Sequence, residues 1–166
     1  MEFALIDEVI ESLEKCNANL EPELMSEAAA REALARYARI KKLASYGETA
    51  LSRKVDNAAE VALMTGTSIG KAKETVEAAK RLRDSDEVSG ALQAGEISFD
   101  QAAEISKTEE ARPGSARELI DVAKDEPFHV LRDKSRSIRL EAEQSRDLGL
   151  VSTKRALPAA TPMSSA

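Results

Sequence analysis

A single cysteine, a single histidine, no tryptophan and only 3% aromatic residues set narrow limits on what this chain does. One cysteine excludes an intrachain disulfide. Cys16 and His129 together fall short of the about four ligands that a structural zinc site takes. A Ser-His-Asp triad would have to use His129, which stands among Pro127, Phe128, Val130 and Leu131 on a helical pattern. No apolar run approaches the roughly 20 residues of a membrane span. The N-terminus, Met1-Glu2-Phe3-Ala4-Leu5-Ile6-Asp7-Glu8, is acidic where a secretory signal begins basic, so a cytoplasmic location is expected. A phosphate loop is missing too. Gly66-Thr67-Ser68-Ile69-Gly70-Lys71 ends in Gly-Lys, but three residues separate its glycines instead of four, Ala72 follows the lysine, and a helical pattern precedes it. No enzymatic activity, metal, cofactor, membrane or small-molecule substrate is expected.

What is present suits helices. The chain has 166 residues, 33% of them charged, and its apolar residues are mostly Ala, Leu, Ile and Val. That length accommodates one domain with a core. The net charge of -6 conceals alternating blocks. Residues 1–32 hold 9 acids and 2 bases; residues 33–54 hold 1 acid and 6 bases. Residues 55–83 are nearly balanced, residues 84–126 hold 12 acids and 4 bases, and residues 127–166 are basic again. Such segregation permits a basic face on an acidic protein, and equally permits acidic and basic helices to pair inside the fold.

Apolar spacing places the elements. Phe3, Ile6, Ile10 and Leu13 recur at steps of three and four, one stripe of a helix over residues 2–16. Pro22 suits a helix start. From Ser26 to about Lys54 strong helix formers dominate, with Leu34, Tyr37, Ala38, Lys41 and Ala44 on one face, Leu43 beside it, and Gly47 as a point of interruption. Asp56 or Asn57 caps a short helix to Thr65. Ser68 caps the next, to about Arg83. Asp86 opens a helix that Gly95 ends. Ser98 with Gln101, and Ser115 with Glu118, have capping-box spacing, the second after the Pro113-Gly114 turn. Pro127 begins a last helix through Leu131, Ile138 and Ala142. No strand-like alternation occurs. The expectation is an all-α, multihelical domain over residues 1–147, with a central helix-turn-helix at about 56–83 and a disordered tail over 148–166.

The helix-turn-helix rests on spacing with a physical cause. Ala62 lets the second helix cross close to the first. Gly66 provides a left-handed stop. Ser68 caps the second helix, and Ala72 and Val76 pack it back. In this motif the second helix enters the major groove by its N-terminal residues. Here those carry Thr67, Ser68, Lys71, Lys73 and Thr75, hydroxyls and amines fit for phosphates and base edges, with Ile69 and Gly70 between them. Glu74 and Glu77 count against it. A second corner, Leu92, Gly95, Ile97, Ser98 and Ala102, repeats the device.

The ordered string Thr65-Gly66-Thr67-Ser68, Ala79-Lys80-Arg81-Leu82, Val88-Ser89-Gly90-Ala91-Leu92-Gln93-Ala94-Gly95-Glu96-Ile97-Ser98 and Gln101-Ala102-Ala103 resembles an actinobacterial family, domain of unknown function 222, also called the 13-E-12 repeat. The resemblance extends from about Ala28 to Arg146, with Leu119-Ile120-Asp121-Val122-Ala123-Lys124 and Leu131-Arg132-Asp133 matching its later helices. Many members carry a C-terminal HNH endonuclease module, which implies DNA as the substrate class of the whole architecture. The middle segment is also similar to the helix-turn-helix of ParB-type partition proteins. This sequence departs from the first pattern in having one histidine and no Cys-x-x-Cys, so the HNH module is absent. The resemblance then implies a truncated member, a split gene product or a stand-alone helical half.

Other side chains have quieter readings. Cys16 is expected as a small buried hydrophobe. Glu109-Glu110, and Asp84 with Asp86-Glu87, are expected in helix caps and solvated turns rather than on a metal. Arg36, Arg39, Lys41 and Lys42 either track a phosphate backbone or pair with Glu8, Glu11, Glu14, Glu21 and Glu23. Arg132, Lys134, Arg136 and Arg139 form either a solvated face or a nucleic-acid contact. Two functions stay open: a non-catalytic module binding duplex DNA through the helix 68–83, and a helical module for a protein partner or for self-association.

Overall fold

A computed structural model describes the backbone of residues 3–154 and the side chains of residues 3–148. The fold is all-α. Among the described residues there are eight α-helices, one 3₁₀ turn at Pro22–Leu24 and no strand. The helices are α1 (Phe3–Ala18), α2 (Glu27–Val55), α3 (Ala58–Thr65), α4 (Ile69–Leu82), α5 (Asp86–Gln93), α6 (Phe99–Ala111), α7 (Ala116–Asp125) and α8 (Phe128–Lys154). Helix α8 therefore passes Leu148. The rest of the expected tail, from residue 155 on, lies outside the described residues. The chain divides into two compact units, Met1–Ala38 and Arg39–Ala166.

None of the described residues of the first unit is buried. Helix α1 buries none of its residues, so the predicted stripe exists but faces outward, with Phe3, Ile6 and Ile10 all exposed. Cys16 is exposed as well, contrary to the buried hydrophobe expected, on a helix that has no buried residue. The Tyr37 hydroxyl donates to Asn17 Oδ1 at 2.8 Å. Pro22 starts a 3₁₀ turn, and Ser26 Oγ accepts from Ala29 N at 3.2 Å to begin α2.

The second unit holds the core. Leu82, Val88, Leu92, Ile97, Ile105, Leu119, Leu131 and Ile138 are buried together, drawn from α4 to α8 and the turn before α6. Helix α2 runs unbroken through Gly47. The face it turns inward is not the apolar one expected from Leu34, Tyr37 and Lys41. Thr49 and Ser52 are buried instead, beside half-buried Tyr46. Thr49 Oγ1 donates to the Ser45 carbonyl at 2.6 Å, so its hydroxyl is satisfied along the helix and buries at little cost.

Caps follow the sequence closely except at α7. The Ser98–Gln101 box forms, and Gln101 Nε2 also donates to the Ala123 carbonyl at 2.6 Å, tying α6 to α7. The expected Ser115–Glu118 box does not form. Ser115 has helical dihedrals and makes no side-chain cap. Glu109 supplies the acceptors, taking Gly114 N and Ala116 N at 2.7 Å each and the Ser115 hydroxyl at 3.2 Å. Glu118 turns outward to Lys134 at 2.6 Å.

Candidate nucleic-acid interface

Helices α3 and α4 form a corner with a small core of its own: Val61 and Ala62 against Ala72 and Val76. All the expected framework residues do their work. Ala62 and Ala72 are buried at the crossing. Gly66 ends α3 with φ 66°, and its N–H donates to the Ala62 carbonyl. Thr67 N donates to the same carbonyl at 3.1 Å. At the other ends Asn57, not Asp56, caps α3 by accepting from Ala59 N and Glu60 N, and Ser68 Oγ accepts from Lys71 N. Asp56 takes a left-handed φ of 49° and pairs with Lys80 Nζ at 2.9 Å. That hydrogen bond, followed by one to Glu77, raises the Lys80 ammonium above its ordinary pKa.

Of the five residues expected to touch DNA, four are exposed and Thr75 is buried. Thr67 and Ser68 lie exposed in the turn, with Ile69 beside them. Thr67 Oγ1 is 2.9 Å from Thr65 Oγ1. Lys73 is exposed and lines the cleft between α4 and α6. Lys71 leans toward α6. Its ammonium lies 3.5 Å from Asp100, 3.9 Å from Glu74 and 5.8 Å from the centre of the Phe99 ring. Thr75 is 7% exposed and donates its hydroxyl to the Lys71 carbonyl at 3.0 Å. It is a packing residue between α4 and the core, and the expectation that it reaches DNA is corrected. Its place on the inner side of α4, between Ala72 and Ala78, leaves its hydroxyl nothing outside to bind.

Between α4 and α6 lies an open cleft of about 600 Å³. Lys71, Lys73, Arg81 and Lys107 line it together with Glu74, Glu77, Asp100 and Glu104. Charge is therefore balanced along this wall. Sequence spacing could not show that Asp100, two residues into α6, stands opposite Lys71, because the pairing depends on how two helices cross. It also missed Leu63 and Met64, which α3 leaves exposed next to the turn.

Of the other basic groups singled out by sequence, Arg39, Lys41, Arg132 and Arg136 are exposed, and the remaining four are paired. Arg36 pairs with Glu32 at 2.7 Å, and Lys42 Nζ donates to the Glu96 carbonyl at 3.0 Å. Lys134 holds Glu118 at 2.6 Å. Arg139 reaches Glu104 and Thr108, each at 2.7 Å. His129 is exposed. Among the described residues no three His, Cys, Asp or Glu side chains are grouped to hold a metal, and no helix is long and apolar enough to cross a membrane. Comparison with known proteins gives no matching family model, no matching curated protein and no matching solved structure.

Proposed function

We propose that this chain is a non-catalytic, cytoplasmic DNA-binding module that meets duplex DNA with the turn and first helical residues of α4. One observation carries this reading. The α3–α4 corner is held by its own core and by two side-chain caps, and it leaves Thr67, Ser68, Ile69 and Lys73 exposed at a helix N-terminus. A helix start presents free N–H groups and a partial positive charge, both suited to phosphate. Lys73 adds a full charge. Lys71 contributes only if phosphate draws it from Asp100, an exposed pair that costs little to break. The resemblance of residues 28–146 to domain of unknown function 222, read from sequence motifs alone, implies the same partner.

Fluorescence anisotropy of labelled duplex between about 50 and 200 mM salt tests the reading, since phosphate contacts make affinity fall steeply with salt. Lys73→Glu should weaken binding about tenfold or more, the scale of one charged contact. Thr75→Val should leave affinity unchanged. Absence of binding at the lowest salt would remove DNA as the partner, and wild-type affinity in Lys73→Glu would remove α4 as the reader.

A further inference from the structure

We propose that the cleft between α4 and α6 binds a nucleoside monophosphate, with its ring against Phe99 and Phe128 and its phosphate on Arg81 and Lys107. The proposal goes beyond DNA reading and stands without it. The cleft measures about 600 Å³, within the roughly 300–1,000 Å³ of small-molecule sites.

Its formal charge is balanced, but its ion pairs are not. Each of the four lining acids already has a cation. Asp100 and Glu74 share Lys71, Glu77 faces Lys80 at 3.3 Å, and Glu104 holds Arg139 at 2.7 Å. Among the described residues, Lys73, Arg81 and Lys107 have no carboxylate within ion-pair distance. Three uncompensated cations in one cleft call for an occupant with more than one negative charge, which a phosphate monoester carries near neutral pH.

Arg81 is the strongest of these signals. Its side chain is half-buried, and its Nε is enclosed with no acceptor. On its other side Glu109 caps α7 and Glu110 is exposed, and neither forms an ion pair with it. A guanidinium so placed is unfavourable until an anion takes its donors, and its planar fork suits phosphate.

The rings stand at the opposite end. Lys71 and Phe99 meet where α4 and α6 begin, the ammonium 5.8 Å from the ring centre, so both helices start at one end of the cleft. Phe128, the first residue of α8, lines the same cleft and is 42% exposed. Arg81 follows Lys71 by ten residues and Lys107 follows Phe99 by eight, about 12–15 Å along the helices at 1.5 Å per residue. That is the reach of a mononucleotide from ring to phosphate. Ala78 and Ala103 line the stretch between and leave room for the sugar. Stacking on phenylalanine accepts any base, because every base has a π-face.

Isothermal titration calorimetry of the full chain with adenosine monophosphate tests the site. One nucleotide per chain should bind. Adenosine and ribose phosphate, each lacking one end of the ligand, should bind about tenfold or more weakly, the scale of a stacked ring or of a hydrogen bond to a charged group. Lys107→Glu, at an exposed position, and Phe128→Ala should each weaken nucleotide binding by a similar factor, with helical content unchanged by circular dichroism. Absence of saturable binding overturns the proposal. So does wild-type affinity in Lys107→Glu, or a ribose phosphate that binds as tightly as the nucleotide; the last result would mark a phosphate site without a ring.

Discussion

Glu109 Oε2 accepts the backbone N–H of Ala116 at 2.7 Å, so the last turn of α6 caps the first turn of α7. The same carboxylate takes Gly114 N through its other oxygen and the Ser115 hydroxyl besides. One side chain thus closes the Pro113-Gly114 turn and satisfies donors that a helix start otherwise leaves free.

Removing it should act as loss of a helix cap. Glu109→Ala is expected to lower stability by about 1–2 kcal/mol, the upper part of the range for such caps. Glu118→Ala, the substitution that the Ser115–Glu118 spacing would have singled out, should have the smaller effect, because Glu118 serves only an exposed pair with Lys134. Urea denaturation midpoints at unchanged m would show it. Equal midpoints for the two variants would contradict the assignment of the cap.

That contrast shows what sequence carries and what it does not. Local signals were legible: Asn57, Gly66, Ser68 and the Ser98–Gln101 box bound their helices where side chains and backbone a few residues apart settle the matter. Apolar spacing also gave the inward residues of α4, Ala72 and Val76. Contacts set by helix crossing were illegible. Ser115 looked like a cap until Glu109 arrived from another helix. Lys71 looked free until α6 placed Asp100 beside it. Thr75 looked outward, although its hydroxyl is satisfied by the carbonyl four residues back. At α1 the periodicity was correct, but periodicity says that a stripe exists and not that anything covers it.

Gly95 should tolerate no side chain. Its φ is 68°, and an added Cβ would come within 2.9 Å of Leu43 Cδ2 and 3.0 Å of Cγ. Gly95→Ala combines a left-handed strain of order 1 kcal/mol with displacement of Leu43, so a loss of about 1–3 kcal/mol is expected. Leu43→Ala in the same chain should recover only the packing part. Gly70, helical and with 3.9 Å of clearance to Ser68 Oγ, is the control. Gly70→Ala should be neutral or stabilising by up to about 1 kcal/mol. Calorimetric melting temperatures that fall equally for Gly70→Ala and Gly95→Ala would refute the steric argument.

Arg139 links α8 to α6 through Thr108, which is fully buried, and Glu104, whose side chain is 13% exposed. Arg139→Ala strands that carboxylate. A fully buried pair would cost about 3–5 kcal/mol to break; with 27% of the Arg139 side chain exposed, about 2 kcal/mol is expected. Glu104→Gln in the Arg139→Ala background should restore part of the loss, since the orphaned charge is gone. A double variant as unstable as the sum of the two singles would show that Arg139 stabilises by packing alone.

The exposed pairs give the fold opposite sensitivities at the two ends of the pH scale. Hydrogen bonding to Lys134 holds the Glu118 carboxyl below its ordinary value of 4.5. Its contribution is therefore complete above that value and disappears as pH falls through the depressed one. The Lys124 ammonium, bonded to Glu96, is held above 10.5, so its contribution is complete below that value and disappears as pH rises past it. Glu118→Gln should melt slightly below wild type at neutral pH and together with it once pH has fallen below the depressed value. Lys124→Met should melt below wild type at neutral pH and converge with it only once pH has risen past the raised value. Melting curves across this range decide it. A Glu118→Gln deficit that persists in acid would mean that shape, and not charge, joins α7 to α8 at this point.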